Sequence, residues 1–145
     1  MKALAVETTG ELKSLACAED GRLLAEDSFA ADLLTEFWPR LDGFLKRNGF
    51  RFRDFDVFAV CRGPGSWTGL RFGLAVAKGL ACGTGRKVFA LSAGELAAAV
   101  LPGHTPAAAL ACRCGQGEPP EDIKVEYGSL PKFRKIEIKQ KESSS

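Results

Sequence analysis

The sequence has one histidine in 145 residues, no run of about 20 apolar residues, and almost no net charge, with 20 Lys and Arg against 18 Asp and Glu. The first scarcity limits hydrolytic chemistry. Ser-His-Asp, Cys-His and H-E-x-x-H arrangements all need an imidazole, and His104, beside Pro102 and Gly103 in an expected loop, reads as a solvated turn residue. The second excludes a membrane-spanning helix: the apolar run over residues 1–6 stops at Glu7, and the one over 70–82 is broken by Arg71 and Lys78. Neither reads as a signal peptide. Cysteine is present but unorganised. Cys17, Cys61, Cys82, Cys112 and Cys114 are odd in number and sit in apolar or Gly-rich surroundings, which points to a reducing, cytoplasmic setting rather than a disulfide framework. Cys112-Arg113-Cys114 has no second pair at ligand spacing, so no metal site is expected.

What is present describes one globular domain. Some 46% of the residues are hydrophobic and 26% charged, and at this length a chain buries roughly two-thirds of its unfolded surface. Charge is uneven along it. Residues 1–60 carry 8 basic and 11 acidic side chains, residues 61–115 carry 6 and 1, and residues 116–145 carry 6 and 6. The electropositive middle third also holds the densest glycine punctuation. Its cations either face an anion or pair with the acidic first third.

Three short β-prone runs, residues 2–6, 13–18 and 23–28, are separated by Thr8-Thr9-Gly10 and Asp20-Gly21, the latter a hairpin signal. Over 33–47, Leu34, Phe37, Trp38, Leu41, Phe44 and Leu45 recur at helical spacing, with Pro39 expected to kink the helix or to lie near its start. Residues 57–60 suit a strand buried on both faces, 68–82 a second helix, and 87–91 another strand. Ser92 and Glu95 form a capping box for a helix to about Leu101. The order β-β-β-α-β-α-β-α predicts an α/β fold with a mixed five-stranded sheet and helices on its faces. Residues 107–114 read as one more strand, 115–122 as a polar linker. Ile123, Val125 and Tyr127 with Ile136 and Ile138 suggest a small hairpin, and 140–145 a frayed end.

Arg62-Gly63-Pro64-Gly65-Ser66-Trp67-Thr68-Gly69 joins a buried strand to a helix. Such a glycine loop either offers unpaired N–H groups to a phosphate or makes a tight structural corner. It is not a Walker A loop, because no Lys-Ser/Thr follows the last glycine. The helix behind it has Gly69, Gly73, Ala77 and Ala81 four residues apart, a face almost without side chains. Something must lie close against that face, either the chain's own core or a partner helix. The first helix carries more apolar surface than a single sheet contact needs, which favours a partner.

The run from Gly63 to Arg71, continued by Gly73-Leu74-Ala75-Val76-Ala77-Lys78-Gly79-Leu80-Ala81, resembles the signature of the bacterial TsaB (YeaZ) family of tRNA threonylcarbamoyladenosine biosynthesis proteins. The opening Ala3-Leu4-Ala5-Val6-Glu7-Thr8-Thr9, Pro39, and Ser92-Ala93-Gly94-Glu95-Leu96 agree with it, over about residues 1–116. The resemblance implies an actin-like ATPase or ribonuclease H-like lobe over 1–106, followed by a remnant second-lobe segment and polar tail over 107–145. It implies a cytoplasmic, non-catalytic subunit without cofactor that binds a catalytic TsaD-type paralogue, the holder of metal and nucleotide. A TsaE-type ATPase and a second copy of the chain are further implied partners, and tRNA is met only indirectly.

The interface expected from that family spans both helices: Leu34, Phe37, Trp38, Leu41 and Leu45 on the first, Gly69, Arg71, Phe72, Gly73, Val76 and Ala77 on the second. Glu7, Thr8 and Thr9 stand as a vestigial phosphate turn. The chain departs from the family where Glu7 replaces the usual aspartate, Leu33 a common histidine, and Ala111 the aspartate that opens the second lobe. Competing readings are an ATP-binding enzyme of sugar-kinase type, a peptidase, and direct RNA binding through Arg62, Arg71, Lys78, Arg86 and Lys87.

Overall fold

The computed structural model describes residues 1–30 and 32–126. Strands β1 (Lys2–Glu7), β2 (Lys13–Glu19) and β3 (Arg22–Phe29) form an antiparallel meander; α1 (Leu33–Asn48) leads to β4 (Val57–Cys61), α2 (Trp67–Thr84), β5 (Lys87–Leu91), α3 (Ala93–Ala99) and α4 (Pro106–Cys112). The sheet order is β3-β2-β1-β4-β5, with β1, β4 and β5 parallel. The mixed five-stranded sheet expected from the sequence is therefore present. The turn between β2 and β3 has Asp20 at φ 51° and Gly21 at φ 81°, left-handed angles that aspartate tolerates and glycine adopts freely.

Two layers of unlike chemistry cover the sheet. Strand alternation sends Leu4, Val6, Leu15, Cys17, Phe58, Val60 and Val88 to one face, where α1 and α2 add Phe37, Leu41, Phe44, Leu70 and Leu74. The other face receives Ala5, Ala16, Ala18, Ala59 and Cys61, against Leu96 of α3 and Ala107–Ala111 of α4. One side is packed with large branched and aromatic groups. Its opposite is dominated by alanine, with Leu91, Leu96 and Leu110 among the larger members, so α4 approaches the strands closely.

The helices start and stop where their caps dictate. Asp32 accepts from the Leu34 N–H at 2.9 Å and Ser92 from the Glu95 N–H at 3.2 Å, while the Glu95 carboxylate accepts from the Ser92 N–H at 2.8 Å, the capping box read from the sequence. Pro39 lies inside α1 rather than at its start. Residues 107–112 form a helix, not the expected strand. Thr105 caps it by accepting from the Ala108 N–H at 3.1 Å, and Pro106 occupies its first turn, where a missing N–H costs nothing. Helix α3 ends at Ala99, two residues before the expected limit. Residues 123–126, the described part of the expected C-terminal hairpin, are not a strand, and Tyr127, the second arm and the frayed end lie outside the described residues.

Helix α4 is moored by Glu26 of β3. Its carboxylate accepts from the Thr105 N–H (2.8 Å) and hydroxyl (2.9 Å) and lies 2.6 Å from His104 Nδ1. Partial burial pushes the Glu26 carboxyl upward, but the bonds from Thr105 and His104 outweigh it and hold the group below the ordinary carboxylate value of 4.5. A depressed carboxyl stabilises the fold above its unfolded value and loses that contribution as the pH falls through its folded one. Glu26→Gln is expected to cost about 1 kcal/mol at pH 7, and to flatten the fall in urea midpoint below about pH 4.5. An unchanged acid limb would mean that Glu26 does not moor the helix.

Candidate functional site: a closed glycine corner beside an exposed two-helix face

Parallel β1, β4 and β5 end at one edge of the sheet, which gathers Glu7-Thr8-Thr9, the glycine loop and Ser92 into one region. Arg62 N–H donates to Leu91 O at 2.9 Å, and Ala93 N–H to Gly63 O at 2.7 Å, so the loop is tied to the strand beside it. Ser66 caps α2 through the Gly69 N–H at 3.4 Å.

The glycines of this corner are explained by what they touch. A Cβ on Gly69 would lie 2.0 Å from the carbonyl oxygen of Thr8, one on Gly73 would lie 2.6 Å from Thr8 Oγ1, and one on Gly65 would lie 3.0 Å from Thr9 Cβ. The turn after β1 is thus seated directly on the first two turns of α2. Thr8, only 1% exposed, locks the contact by donating its hydroxyl to Gly69 O at 2.5 Å. Glu7, 3% exposed, accepts from both the N–H and the hydroxyl of Thr9, at 3.0 and 2.8 Å. The Glu7-Thr8-Thr9 turn and the glycine loop are therefore brought together, but backbone meets backbone where a phosphate cradle would need room.

This corrects part of the expected interface. Gly69, Gly73 and Ala77 face inward, and Phe37, Leu41 and Leu45 belong to the core beneath the helices. A Gly73→Leu side chain would enter the Thr8 turn, so that variant would disturb the fold and not report on association alone. The small face does mark close packing, as its spacing implied; the partner is the chain itself.

What remains accessible is a contiguous apolar patch. Leu34 is 80% exposed and Trp38 47%, large values for residues of these types. The Trp38 ring stands edge-on to Phe37, which is itself edge-on to Phe72 at 5.0 Å, so the aromatics bridge α1 and α2. Trp38, Phe72, Ala75, Val76, Gly79 and Leu80 line an open depression of about 420 Å³. Arg71 is exposed, with its guanidinium over the Trp67 ring at 5.3 Å. Ala75, Gly79 and Leu80 were missed by sequence reasoning, although they continue the Phe72–Val76 stripe at spacings of three and four.

Among the described residues no group of three or more His, Cys, Asp or Glu is arranged to hold a metal ion, and no helix is long and apolar enough to cross a membrane. Burial pushes the Cys114 thiol up to about 12 and raises Cys112 as well, which opposes the thiolate form that a metal or a nucleophile requires.

Comparison with known proteins is consistent with these features. Residues 32–117 match the TsaD family model, described as tRNA N6-adenosine threonylcarbamoyltransferase. The tRNA threonylcarbamoyladenosine biosynthesis protein TsaB of Escherichia coli K12 is 36% identical over 84 residues, which are 57% of this chain and 36% of that protein. The structure of YeaZ from Pseudomonas aeruginosa superposes with a TM-score of 0.58 at 32% identity, covering 63% of this chain and 42% of that one. RuvC of T. thermophilus, in a structure with a Holliday junction substrate, aligns with a TM-score of 0.50 at 14% identity, a likeness of fold alone that spans 77% of this chain and 90% of that one. The lobe is thus ribonuclease H-like and actin-like, and the matched region is about two-fifths of the length of the TsaB and YeaZ relatives. With more than half of its residues inside that family model, the chain belongs to the TsaD family and is a homologue of the TsaB (YeaZ) proteins.

Proposed function

We propose that the chain serves tRNA threonylcarbamoyladenosine biosynthesis as a cytoplasmic, non-catalytic subunit that docks on a TsaD-type paralogue through α1 and α2. The observation that carries this reading is the apolar stripe of exposed Leu34, Trp38 and Ala75 with half-buried Phe72 and Leu80, which has the aromatic and aliphatic character of an interface centre. Residues 1–106 correspond in this reading to the family's first lobe and 107–145 to a remnant of its second, with α4 serving as a cover for the sheet. Self-association through the same face competes with the paralogue, a TsaE-type ATPase joins the assembly through it, and tRNA is contacted by the partner.

The seated Thr8 turn supports assigning nucleotide and metal to the paralogue rather than to this chain. Light scattering on a size-exclusion column, with the chain alone and mixed with purified paralogue, tests the proposal. A one-to-one complex is expected. A chain that elutes unchanged beside the paralogue overturns the docking role. In calorimetry with ATP and magnesium no heat of binding is expected, and micromolar binding by the chain alone would restore the ATPase reading.

A further inference from the structure

Residues 117–126 follow α4 as a strap along the far side of the sheet edge. Glu118 exchanges two backbone hydrogen bonds with Val88 of β5, at 2.9 and 2.7 Å, and Glu126 N–H donates to Arg62 O at 2.8 Å. Between these anchors Ile123 is buried, 5% exposed, in the same core as Leu74, Ala77 and Val88. Side chains add two ties: Lys78 of α2 donates to Ile123 O at 2.7 Å, and Arg62, itself 3.6 Å from Glu95 of α3, reaches Glu126 at 3.1 Å. The strap lies tightly, since a Cβ on Gly63 would lie 2.5 Å from Glu126 O.

Lys78 is two residues from both Val76 and Leu80, about 200° round the helix from either. Helix α2 is therefore held from two sides, by α1 through the Phe72–Phe37 ring contact at 5.0 Å and by the strap through Lys78. We propose that residues 117–126 act as a separately opening brace that fixes the seat of α2 against α1, so that its closure and docking on the α1–α2 face are thermodynamically linked. The strap is held by two short backbone pairings and partly exposed polar ties, whereas the β1–β2 ladder is buried and continuous. Its opening accordingly precedes global unfolding. Linkage is reciprocal: whatever docks on the closed form also slows the opening of the strap. The docking half of this inference rests on the proposed function; the bracing half does not.

Amide hydrogen exchange on the full chain separates them. In the parent protein the Glu118 and Glu126 amides are expected to exchange at least tenfold faster than those of β1. Lys78→Met, which keeps the aliphatic stem, should accelerate both strap amides about tenfold and the amides of residues 79–82 about threefold, with β1 and β2 unchanged. Glu126→Gln should act in the same direction. Strap amides as slow as β1, or a strap that loosens while α2 does not, overturns the brace. Saturating TsaD-type paralogue should slow the Glu118 and Glu126 amides about fivefold, the factor by which opening of the strap weakens the complex. Protection that does not reach the strap disproves the linkage. If Leu34→Asp leaves the complex intact while the exchange results hold, the docking reading fails and the brace stands.

Discussion

Gly69→Ala is expected to lower stability by about 3 kcal/mol or more, a large share of the roughly 5–15 kcal/mol that holds a domain of this size together. The added methyl would sit 2.0 Å from the Thr8 carbonyl oxygen, and that oxygen belongs to a turn anchored at the end of a central strand. Neither backbone can withdraw without breaking the Thr8 hydroxyl bond to Gly69 O or the pairing of β1 with β4. Gly79→Ala is the matched control on the same helix. A Cβ there meets nothing within 4 Å, so the gain in helix propensity should raise stability by up to about 1 kcal/mol. Denaturant midpoints of the two variants should move in opposite directions. Equal midpoints would mean that the turn is not seated on α2.

The second large effect separates folding from docking. Leu34→Asp replaces the most exposed large apolar residue of α1, at the second helical position. An acidic group there meets the positive end of the helix dipole, so the isolated chain should be unchanged or more stable by a few tenths of a kcal/mol. Its complex with the paralogue, in contrast, should weaken about thirtyfold or more, the loss expected when a charge is buried unpaired at an apolar contact worth about 2 kcal/mol. Trp38→Ala should reduce affinity comparably but also shed its edge contact with Phe37, with a small cost to the fold. Full-strength association of folded Leu34→Asp would place the docking surface elsewhere.

The fold was legible because its strands obey local chemistry. Asp20-Gly21 supplies the angles of the β2–β3 turn, and Ser92 with Glu95 sets the start of α3 without help from distant residues. Helix α4 defeats a periodicity reading for a local reason as well. A run of alanines has no polar alternation to reveal its period, and the helix-start signal lies instead in Thr105-Pro106, just ahead of the run. The candidate site was harder. Four-residue spacing of Gly69, Gly73 and Ala77 announces a close neighbour without saying which, and only tertiary structure brings Thr8, 61 residues earlier than Gly69, into that position. Phe37 and Leu41 were likewise indistinguishable from Leu34 and Trp38 by composition. Which side of an apolar helix meets water is decided by the sheet it rests on.

The unlike chemistry of the two sheet faces sets how the chain can vary. Beneath α1 and α2, Phe37, Phe44, Phe55 and Phe58 can be shortened only by opening voids, so drift on that side is limited by loss of volume. Under α4 the reverse holds, because Ala5, Ala16, Ala18 and Ala59 share one buried cluster with Ala107 and Ala111, all of them 2% exposed or less, where an added carbon would have to push the helix off the sheet. There a single Ala→Val is an intrusion rather than a conservative change. Substitutions that enlarge and substitutions that shrink are thus tolerated on opposite sides of one sheet. Repacking this lobe by design would require growing nothing on one face and removing nothing from the other.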